Sequence, residues 1–403
     1  TLTLMVGVLV LALIFGVSTA WIITRYNFPF KKYIDLMLIL PAACPAYLVA
    51  YAYTDFFEYA GPLQVGLRTL MGWTNASEYY FPEIRSIGGA IFVLGSVLYP
   101  YIFLLARTAF LQTPNSLLEV SSIYGRSKFW NVSLPIARPA IVAGSALVCM
   151  EVVSDFGTVE YFSLETLTLG IFNVWIGMNN ITAASQISIF TFLFIILLLL
   201  IETRSRSEKR FNNSGRHQDQ NFIIEIKSLK AIALISMCFI PALCGFFIPV
   251  LILISNISQF YSINELIIII PILKNTIILA SLGAIIIVSI ATFLACTTAA
   301  KGSKKLQNFT NISAMGYAFP GTMLAIGVLI TAGAIDNAIR HTFLFSSLAK
   351  EPIFISGTIL VLLFAYLVRF LAVSYGANLS GLSKISENIN WASRTLSKSF
   401  SNT

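Results

Sequence analysis

Long apolar runs separated by short polar segments dominate the hydrophobic pattern of this chain. Nine runs approach the roughly 20 apolar residues that an α-helix needs to cross a bilayer, and none shows the alternation typical of a membrane-spanning strand. The pattern therefore predicts an all-α polytopic membrane protein with about nine transmembrane helices. The predicted spans are Leu4–Ile23, Leu36–Tyr53, Ile87–Ala106, Ala140–Phe162, Gln186–Ile201, Ala231–Ser255, Asn275–Ala299, Asn311–Ile330 and Ile353–Leu371.

Composition supports the membrane class. Of the 403 residues, 57% are hydrophobic and only 11% are charged, and the mean hydropathy is +0.82. A soluble chain would carry about 25% charged residues. The net charge of +8 could suggest nucleic-acid binding, so the distribution of the cations along the chain decides what it means.

The Lys and Arg residues concentrate in alternate polar segments. Of the 26, all but five fall in one set of loops, which the positive-inside rule assigns to the cytoplasm. This predicts an N-terminus outside and a C-terminus inside, and it removes the support for a nucleic-acid partner. Because the chain starts outside, directly before a span, we also expect at least one helix upstream. The five exceptions are Arg68, Arg85, Lys274, Arg340 and Lys350.

Features of the first part of the chain recur 275 residues later. Thr1 opens an apolar run as Thr276 does, and Pro45 in "CPAYLVAYAY" corresponds to Pro320 in "FPGTMLAIGV". The same order of features predicts two pseudo-repeated helical bundles in the same orientation, with a pathway between them, as in duplicated transporters. The predicted division is a first half over 1–201, a charged cytoplasmic linker over 202–230 and a second half over 231–403.

A polar segment between the third and fourth spans is too ordered in pattern for a simple connector. It begins "TPNSLLEVSSIYG" and continues "KFWNVSLPIARP". Ser116 and Glu119 have capping-box spacing and predict a helix that starts near Ser116, and Gly125 suits the turn that ends it. A second short helix should follow until Pro135 blocks it. From the residues alone, this is either an amphipathic loop that covers helix ends or a docking element.

The same segment resembles the E-A-A…G…L-P loop of the membrane subunits of ATP-binding-cassette (ABC) transporters. In that family the loop forms a coupling helix that docks on a cytoplasmic ATPase. Val120 is larger than the usual alanine, and the spacing from the glycine to the closing proline is a few residues tighter than usual. The matching residues are Glu119 at the acidic position, Val120 and Ser121 at the two small positions, Gly125 at the glycine, and Leu134 with Pro135 at the closing pair.

A second copy of the loop is weaker. The stretch "ENINWASRTLSKSF" resembles the same motif, but Trp391 stands at the acidic position and the sequence reaches Thr403 without a closing L-P. We therefore expect docking to depend less on this loop. The remaining matched positions are Ala392, Ser393 and, at the glycine position, Ser397.

Further stretches resemble the ferric-iron uptake type of ABC permease, in which two type I permease halves are fused. These are "LPAACPAYLVAYAY", "EVVSDFGTVEYF", "GYAFPGTMLAIGVL" and "YLVRFLAVSYGANLSGL". The resemblance implies a permease in the bacterial inner membrane that works with two cytoplasmic ATPase subunits and a periplasmic substrate-binding protein. It implies no cofactor and no catalysis in this chain. Thiamine, phosphonate, sulfate and polyamine permeases are related, so the substrate stays open between iron and these.

Four residues are candidates for the translocation pathway. Glu151 and Asp155 interrupt the fourth predicted span and, four residues apart, would share a helix face. They could line the outer part of the pathway, or simply lie at the outer interface. Pro45 and Pro320, the other two candidates, are expected to kink helices beside it, and the neighbouring Pro41 is expected to do the same. Neither the cysteines nor the histidines show metal-ligand spacing, so we predict no bound metal.

Two other classes remain to be compared with an importer. An ion-coupled secondary transporter or channel would need no ATPase, but should carry an ion-binding carboxylate near the midplane of the membrane, whereas the acids here cluster toward one end of one span. A membrane-embedded enzyme would need a convergent set of His, Asp or Cys residues, which the sequence does not suggest. The long external loop over 55–85 could receive a delivery protein or act as a passive cap.

Overall fold

The computed structural model describes residues 1–207, 224–226, 229–260, 263–301, 310, 316–317, 319–341 and 355–382. The chain forms two compact units, 1–261 and 262–403. Within the described residues, eight helices are long and apolar enough to cross a bilayer, and a bent pair makes a ninth if it is one span. The predicted all-α polytopic class is confirmed.

The first unit contains most of the described helices. In chain order they are α1 (Leu2–Arg25), α2 (Lys31–Met37), α3 (Ala46–Phe57), α4 (Pro62–Met71), α5 (Ile87–Leu111), α6 (Asn115–Ile123), α7 (Leu134–Ser154), α8 (Gly157–Tyr161), α9 (Leu167–Phe172), α10 (Ile181–Ser207), α11 (Leu229–Ala242) and α12 (Ile248–Phe260). Two-residue strands β1 (Tyr26–Asn27) and β2 (Ile224–Glu225) pair in parallel.

The centre of this unit is the packing of α1, α5 and α7. Two glycines allow the close approach. A Cβ on Gly16 of α1 would lie 2.9 Å from the Cβ of Ile102, and a Cβ on Gly144 of α7 would lie 2.9 Å from the Ile102 Cα. Small residues at such crossings are typical of membrane helices, because burial from water contributes little there and close van der Waals contact must replace it.

Different side-chain contacts mark the two ends of this unit. At one end Arg25 of α1 meets Phe110 of α5, while at the other Arg85, just before α5, lies over the ring of Tyr161. A 25-residue helix such as α5 spans about 37 Å, enough to cross a bilayer core. The Arg25 end is the one that the Lys and Arg distribution predicts to be cytoplasmic.

The second predicted span, Leu36–Tyr53, is wrong as a straight helix. The chain instead forms α2, a 3₁₀ turn over Leu40–Ala43 and then α3, and the two helical stretches are bent by 91°. Pro41 lies in the first turn of the 3₁₀ segment and Pro45 is the residue before α3. Each proline lacks an N–H and disfavours helical backbone in the residue before it, so two of them four residues apart break the helix.

A π-helical turn, Leu243–Phe247, joins α11 to α12 and lies against this break. The Tyr53 hydroxyl donates to the Cys244 carbonyl (2.6 Å). A Cβ on Gly245 would overlap the Ser96 carbonyl oxygen, so only glycine fits. Both helices belong to the first unit, where α11 packs against α1 and α12 against α3, and the boundary between the units follows residue 261. The division into halves over 1–201 and 231–403 concerns duplicated sequence and stays a prediction.

The second unit contains α13 (Ile263–Lys301), α14 (Gly321–His341) and α15 (Ile359–Leu382). Two predicted spans here were placed too early: α14 starts ten residues after the predicted Asn311, and α15 six residues after Ile353. Pro320 therefore precedes a helix and does not kink one, which corrects the expectation for this proline. The buried Asp336 carboxylate accepts hydrogen bonds from the backbone N–H groups of Ile355 (2.8 Å) and Ser356 (3.0 Å), which ties α14 to the start of α15.

Candidate functional site

The first candidate is the loop between α5 and α7, whose helix α6 begins within one residue of the predicted start. The predicted capping box is wrong: the residue before the helix is Pro114, and no side chain caps its N-terminus. Pro114 has the extended backbone of the residue before a helix (φ −60°, ψ 133°), and its ring fixes that φ, so the helix starts directly after it and Ser116 lies inside the first turn. Glu119 is exposed.

A glycine turn ends α6, as predicted. Gly125 has φ +64°, the left-handed conformation that favours glycine, and a Cβ there would meet nothing within 4 Å. The Ser121 hydroxyl donates to the Arg126 carbonyl (2.9 Å), and the Arg126 N–H donates back to the Ser121 carbonyl (2.9 Å). Ser121 is buried, and these two hydrogen bonds hold the turn closed, which explains why a small hydroxyl residue stands at this position.

The outer side of this loop is apolar. Leu118 is fully buried and seats α6, whereas Ile123 is 81% exposed, Tyr124 76% and Trp130 67%. Val120 is also exposed, so its size, the departure from the motif, costs nothing in packing. We call the exposed residues the docking surface: Leu117, Val120, Ile123, Tyr124 and Trp130.

The predicted second short helix does not exist as a separate element. Phe129–Ser133 is a π-helical turn that continues directly into α7, and the whole stretch Phe129–Ser154 is one 26-residue span. Pro135 lies in the first turn of α7. In a regular helix its ring would clash with the carbonyl four residues earlier, and the wider π turn avoids this. Leu134 and Pro135 thus lie in the first turn of α7, inside the span that starts at Phe129.

Both ends of the loop are held by one aromatic cluster. Trp21 of α1 packs on Phe110, just before the loop (ring centroids 5.5 Å apart), and on Phe129, just after it (5.1 Å). The Arg25 guanidinium is buried, donates to the Phe110 carbonyl (2.8 Å) and lies 5.4 Å from the Trp21 ring centroid. A cation at the C-terminal end of α5 is favourable because that end carries partial negative charge. These contacts therefore fix the positions of both ends of the loop.

The second candidate is a cleft of about 210 Å³ at the helix break. The structure brings three of the four predicted pathway residues together there: Pro45, Glu151 and Asp155. Pro320 belongs to the second unit and does not line it. The lining, all within the described part of the chain, has two carboxyl groups and no Lys or Arg. It comprises Ala42, Cys44, Pro45, Ala46, Leu94, Val97, Leu98, Tyr101, Glu151 and Asp155.

The two acids reach the cleft differently from the prediction. Glu151 lies in the last turn of α7, but Asp155 is just past the end of the helix and extended, so they do not share a helix face. The Asp155 carboxylate accepts from the Thr158 N–H (3.0 Å), the Val159 N–H (3.1 Å) and the Thr158 hydroxyl (3.0 Å). Asp155 thus caps α8, while Glu151 contributes a second carboxyl group to the cleft lining.

The external loop is folded. It contains α4 and encloses a groove of about 900 Å³ near the Glu58–Arg85 ion pair (2.5 Å). The Thr74 hydroxyl (2.8 Å) and N–H (3.1 Å) donate to the Glu78 carboxylate, and these hydrogen bonds hold the pKa of Glu78 below its ordinary value. A rigid cap or a docking site for a delivery protein would both need such order.

The second copy of the loop motif, with Trp391, Ala392, Ser393 and Ser397, lies outside the described residues. The sequence reading also missed residues in the first unit. Cys44 and Tyr101 line the cleft but carry no pattern of their own. Asp35, whose carboxylate pairs with Arg107 of α5, could have been noticed in the sequence, because it is an acid in a segment whose other charges are cations.

Comparison with known proteins gives relatives of one kind. The Fe(3+)-transport system permease protein FbpB 2 of Haemophilus influenzae is 22% identical over 99% of this chain and 72% of its own length. The molybdate/tungstate permease WtpB of Methanocaldococcus jannaschii is 26% identical over 39% of this chain and 60% of its own length. The sulfate permease CysW of Escherichia coli is 28% identical over 42% of this chain and 58% of its own length.

No family model matches the chain. The relatives nevertheless confirm the predicted resemblance to importer permeases, and the first of them matches nearly the whole chain. Their names include both a metal cation and oxyanions as transported species, so they do not distinguish between these substrates.

Proposed function

We propose that this chain is the permease of an ABC importer that carries ferric iron, received from a periplasmic binding protein and driven by two cytoplasmic ATPase subunits. The observation that carries the proposal is the docking surface. Its exposed apolar side chains lie on a loop between two spans, and the cluster around Trp21 holds both ends of this loop. The loop is at the end of the first unit where the Lys and Arg residues concentrate. The similarity to an iron permease, over nearly the whole of this chain and 72% of that relative, supports it.

The position of the docking surface argues for a protein partner. Arg126 and Lys128 lie in the sequence between Tyr124 and Trp130 of this surface, so the segment belongs to the polar side of the membrane boundary, where apolar side chains are not covered by lipid tails. Contiguous apolar patches on a water-facing surface typically mark protein interfaces. An ATPase subunit that supplies a groove for α6 would bury Ile123 and Tyr124.

In this proposal the chain moves substrate and performs no chemistry. ATP binding and hydrolysis in the partner change the position of α6, and the spans respond so that the pathway opens to one side and then to the other. Selection of the substrate takes place largely in the binding protein, so the permease needs no resident metal ligands.

The charge of the cleft favours a cation over an oxyanion. At an effective dielectric constant of about 20, one carboxylate repels a dianion about 6 Å away by roughly 5 kcal/mol and attracts a cation by a comparable amount. A cleft lined by Glu151 and Asp155, without Lys or Arg, is a poor passage for sulfate or molybdate and a good one for a metal cation. This supports iron among the substrates of the relatives.

The partner is tested by purification of the tagged chain from its own membranes. We expect an ATPase to co-purify and to be stimulated by the loaded binding protein. Glu119→Lys and Gly125→Arg should abolish transport while the chain remains inserted, because the first reverses a charge on exposed α6 and the second strains the left-handed turn. If both variants transport and stimulate ATP hydrolysis normally, the docking assignment is wrong.

The substrate is tested by uptake of labelled ferric iron, sulfate and molybdate into cells that contain the chain. Glu151→Gln should lower iron uptake, whereas Glu160→Gln, the same change at an exposed acid outside the cleft lining, should not. Uptake of sulfate or molybdate instead of iron would refute the cation assignment. Uptake driven by an ion gradient without ATP would favour an ion-coupled transporter.

A further inference from the structure

An ion pair joins the base of the docking loop to the broken helix. The Arg107 guanidinium of α5 donates to the Asp35 carboxylate of α2 at 2.5 Å. Arg107 lies one turn before Phe110, where the aromatic cluster holds the loop. Asp35 lies in the short helix that leads into the break at Pro41 and Pro45.

The bonding of this pair is incomplete. The Asp35 Oδ1 and the Arg107 Nε are buried and have no hydrogen-bond partner among the described residues. Lys31, one turn earlier on α2, is close enough to interact electrostatically with both groups. A saturated bidentate pair would be a static clamp. This carboxylate has one strong contact and a second cation nearby, so it can exchange partners when α5 moves.

The far side of the break lines the cleft. Cys44 and Pro45, between the two bent stretches, line it together with Glu151 and Asp155. The Tyr99 hydroxyl of α5 also donates to the Leu38 carbonyl (2.8 Å), at the end of α2. Helix α5 therefore holds the segment before the break at two points.

We infer that the Arg107–Asp35 pair is a positioning pair that transmits movement of the docking loop to the cleft, an inference that rests on the proposed function. Because α5 leads directly into the loop, a displacement of α6 moves the end of α5. The ion pair makes α2 follow, and the break, where the backbone is not held by continuous helical hydrogen bonds, takes up the change. The wall formed by Cys44 and Pro45 then shifts relative to Glu151.

The experiment uses Cys44 as a reporter in inverted membrane vesicles that contain the assembled transporter. Cys244 and Cys296 are replaced by serine, and the buried Cys149 and Cys238 are left in place. The rate at which a small methanethiosulfonate reagent modifies Cys44 is measured with and without ATP. We expect ATP to change this rate several-fold in the background chain.

Three variants test the link. Asp35→Asn should abolish the ATP response, while Asp35→Glu, which retains the charge, and the exchanged pair Asp35→Arg/Arg107→Asp should retain it. Glu58→Gln, which breaks the ion pair with Arg85 at the opposite end of the unit, is the matched control and should respond like the background chain. Co-purified ATPase and melting temperature are measured for each variant.

The outcomes separate the inference from the proposed function. If Asp35→Asn lowers the melting temperature but keeps the ATP response, the pair is only a structural clamp and the inference is refuted. If Asp35→Asn and Glu58→Gln lose the response equally, the effect is not specific to this link and the inference again fails. If an ATPase co-purifies but ATP leaves Cys44 unchanged even in the background chain, only the inference fails. If no ATPase co-purifies, the proposed function fails with it.

Discussion

Replacement of Ile123 by alanine tests the docking surface most directly. Ile123→Ala removes three carbon groups, each worth about 0.8 kcal/mol when buried. The residue is 81% exposed, so nearly all of that surface is available to a partner. Docking should therefore lose about 2 kcal/mol, which corresponds to roughly a 30-fold weaker association.

The same change should leave the fold of the chain intact. Ile123 buries little within the structure, and surface substitutions usually alter stability by less than about 0.5 kcal/mol. Leu118→Ala, five residues before Ile123 on the same helix and fully buried, gives the opposite result: it should destabilise the chain by about 2–5 kcal/mol. A third variant, Ile14→Ala, removes the same groups from an exposed site on α1 and should affect neither property.

The assay titrates the partner ATPase onto each variant in detergent and measures the dissociation constant, with melting temperature recorded in parallel. The reasoning is refuted if Ile123→Ala binds the ATPase as tightly as the unmodified chain, or if Ile14→Ala weakens binding to the same degree. In either case the exposed apolar side of α6 would not be the contact surface.

Two further predictions concern the structure around these sites. Gly245→Ala should lower the melting temperature by several degrees, because its Cβ would overlap a backbone carbonyl of α5 and such overpacking costs about 1–3 kcal/mol. Gly327→Ala is the control and should be neutral, because a Cβ there meets nothing within 4 Å. Equal melting temperatures for the two variants would contradict the packing argument. Asp336→Ala should destabilise the second unit by about 1–3 kcal/mol, because it leaves the half-buried N–H groups of Ile355 and Ser356 without this acceptor. Hydrogen exchange at these two amides would detect the loss, and unchanged protection would refute it.

The spans could be predicted from sequence because lipid imposes a strong constraint: every backbone group must be satisfied within the segment, so apolar length alone identifies a helix. The same argument failed for Leu36–Tyr53. This stretch is as apolar as a span, but Pro41 and Pro45 break it. Hydropathy alone does not show whether neighbouring helices can support a break. Here they do, through the hydrogen bonds that the Tyr53 and Tyr99 hydroxyls donate to the Cys244 and Leu38 carbonyls.

The short helix and the glycine turn of the loop were predicted correctly, but its cap and its second part were not. The pattern of Ser116 and Glu119 suggested a cap, whereas Pro114 already fixes the helix start. Pro135 suggested a stop, whereas a π turn accommodates it within the start of a span. Both errors arose because local motifs have several structural solutions and only tertiary packing selects one.

The two candidate sites lie at opposite ends of the same helix. The span Phe129–Ser154 has 26 residues and is therefore about 39 Å long; it begins beside the docking surface and ends with Glu151 in the cleft wall. A continuous helix of this kind carries displacement without changing its own shape, so by itself it would move Glu151 but not open the cleft. The other part of the lining must respond differently, and it includes the break around Pro45, where the structure shows no continuous helix. A continuous helix and a broken one, both connected to α5 near the docking loop, give the cleft a lining whose parts can move unequally under one displacement.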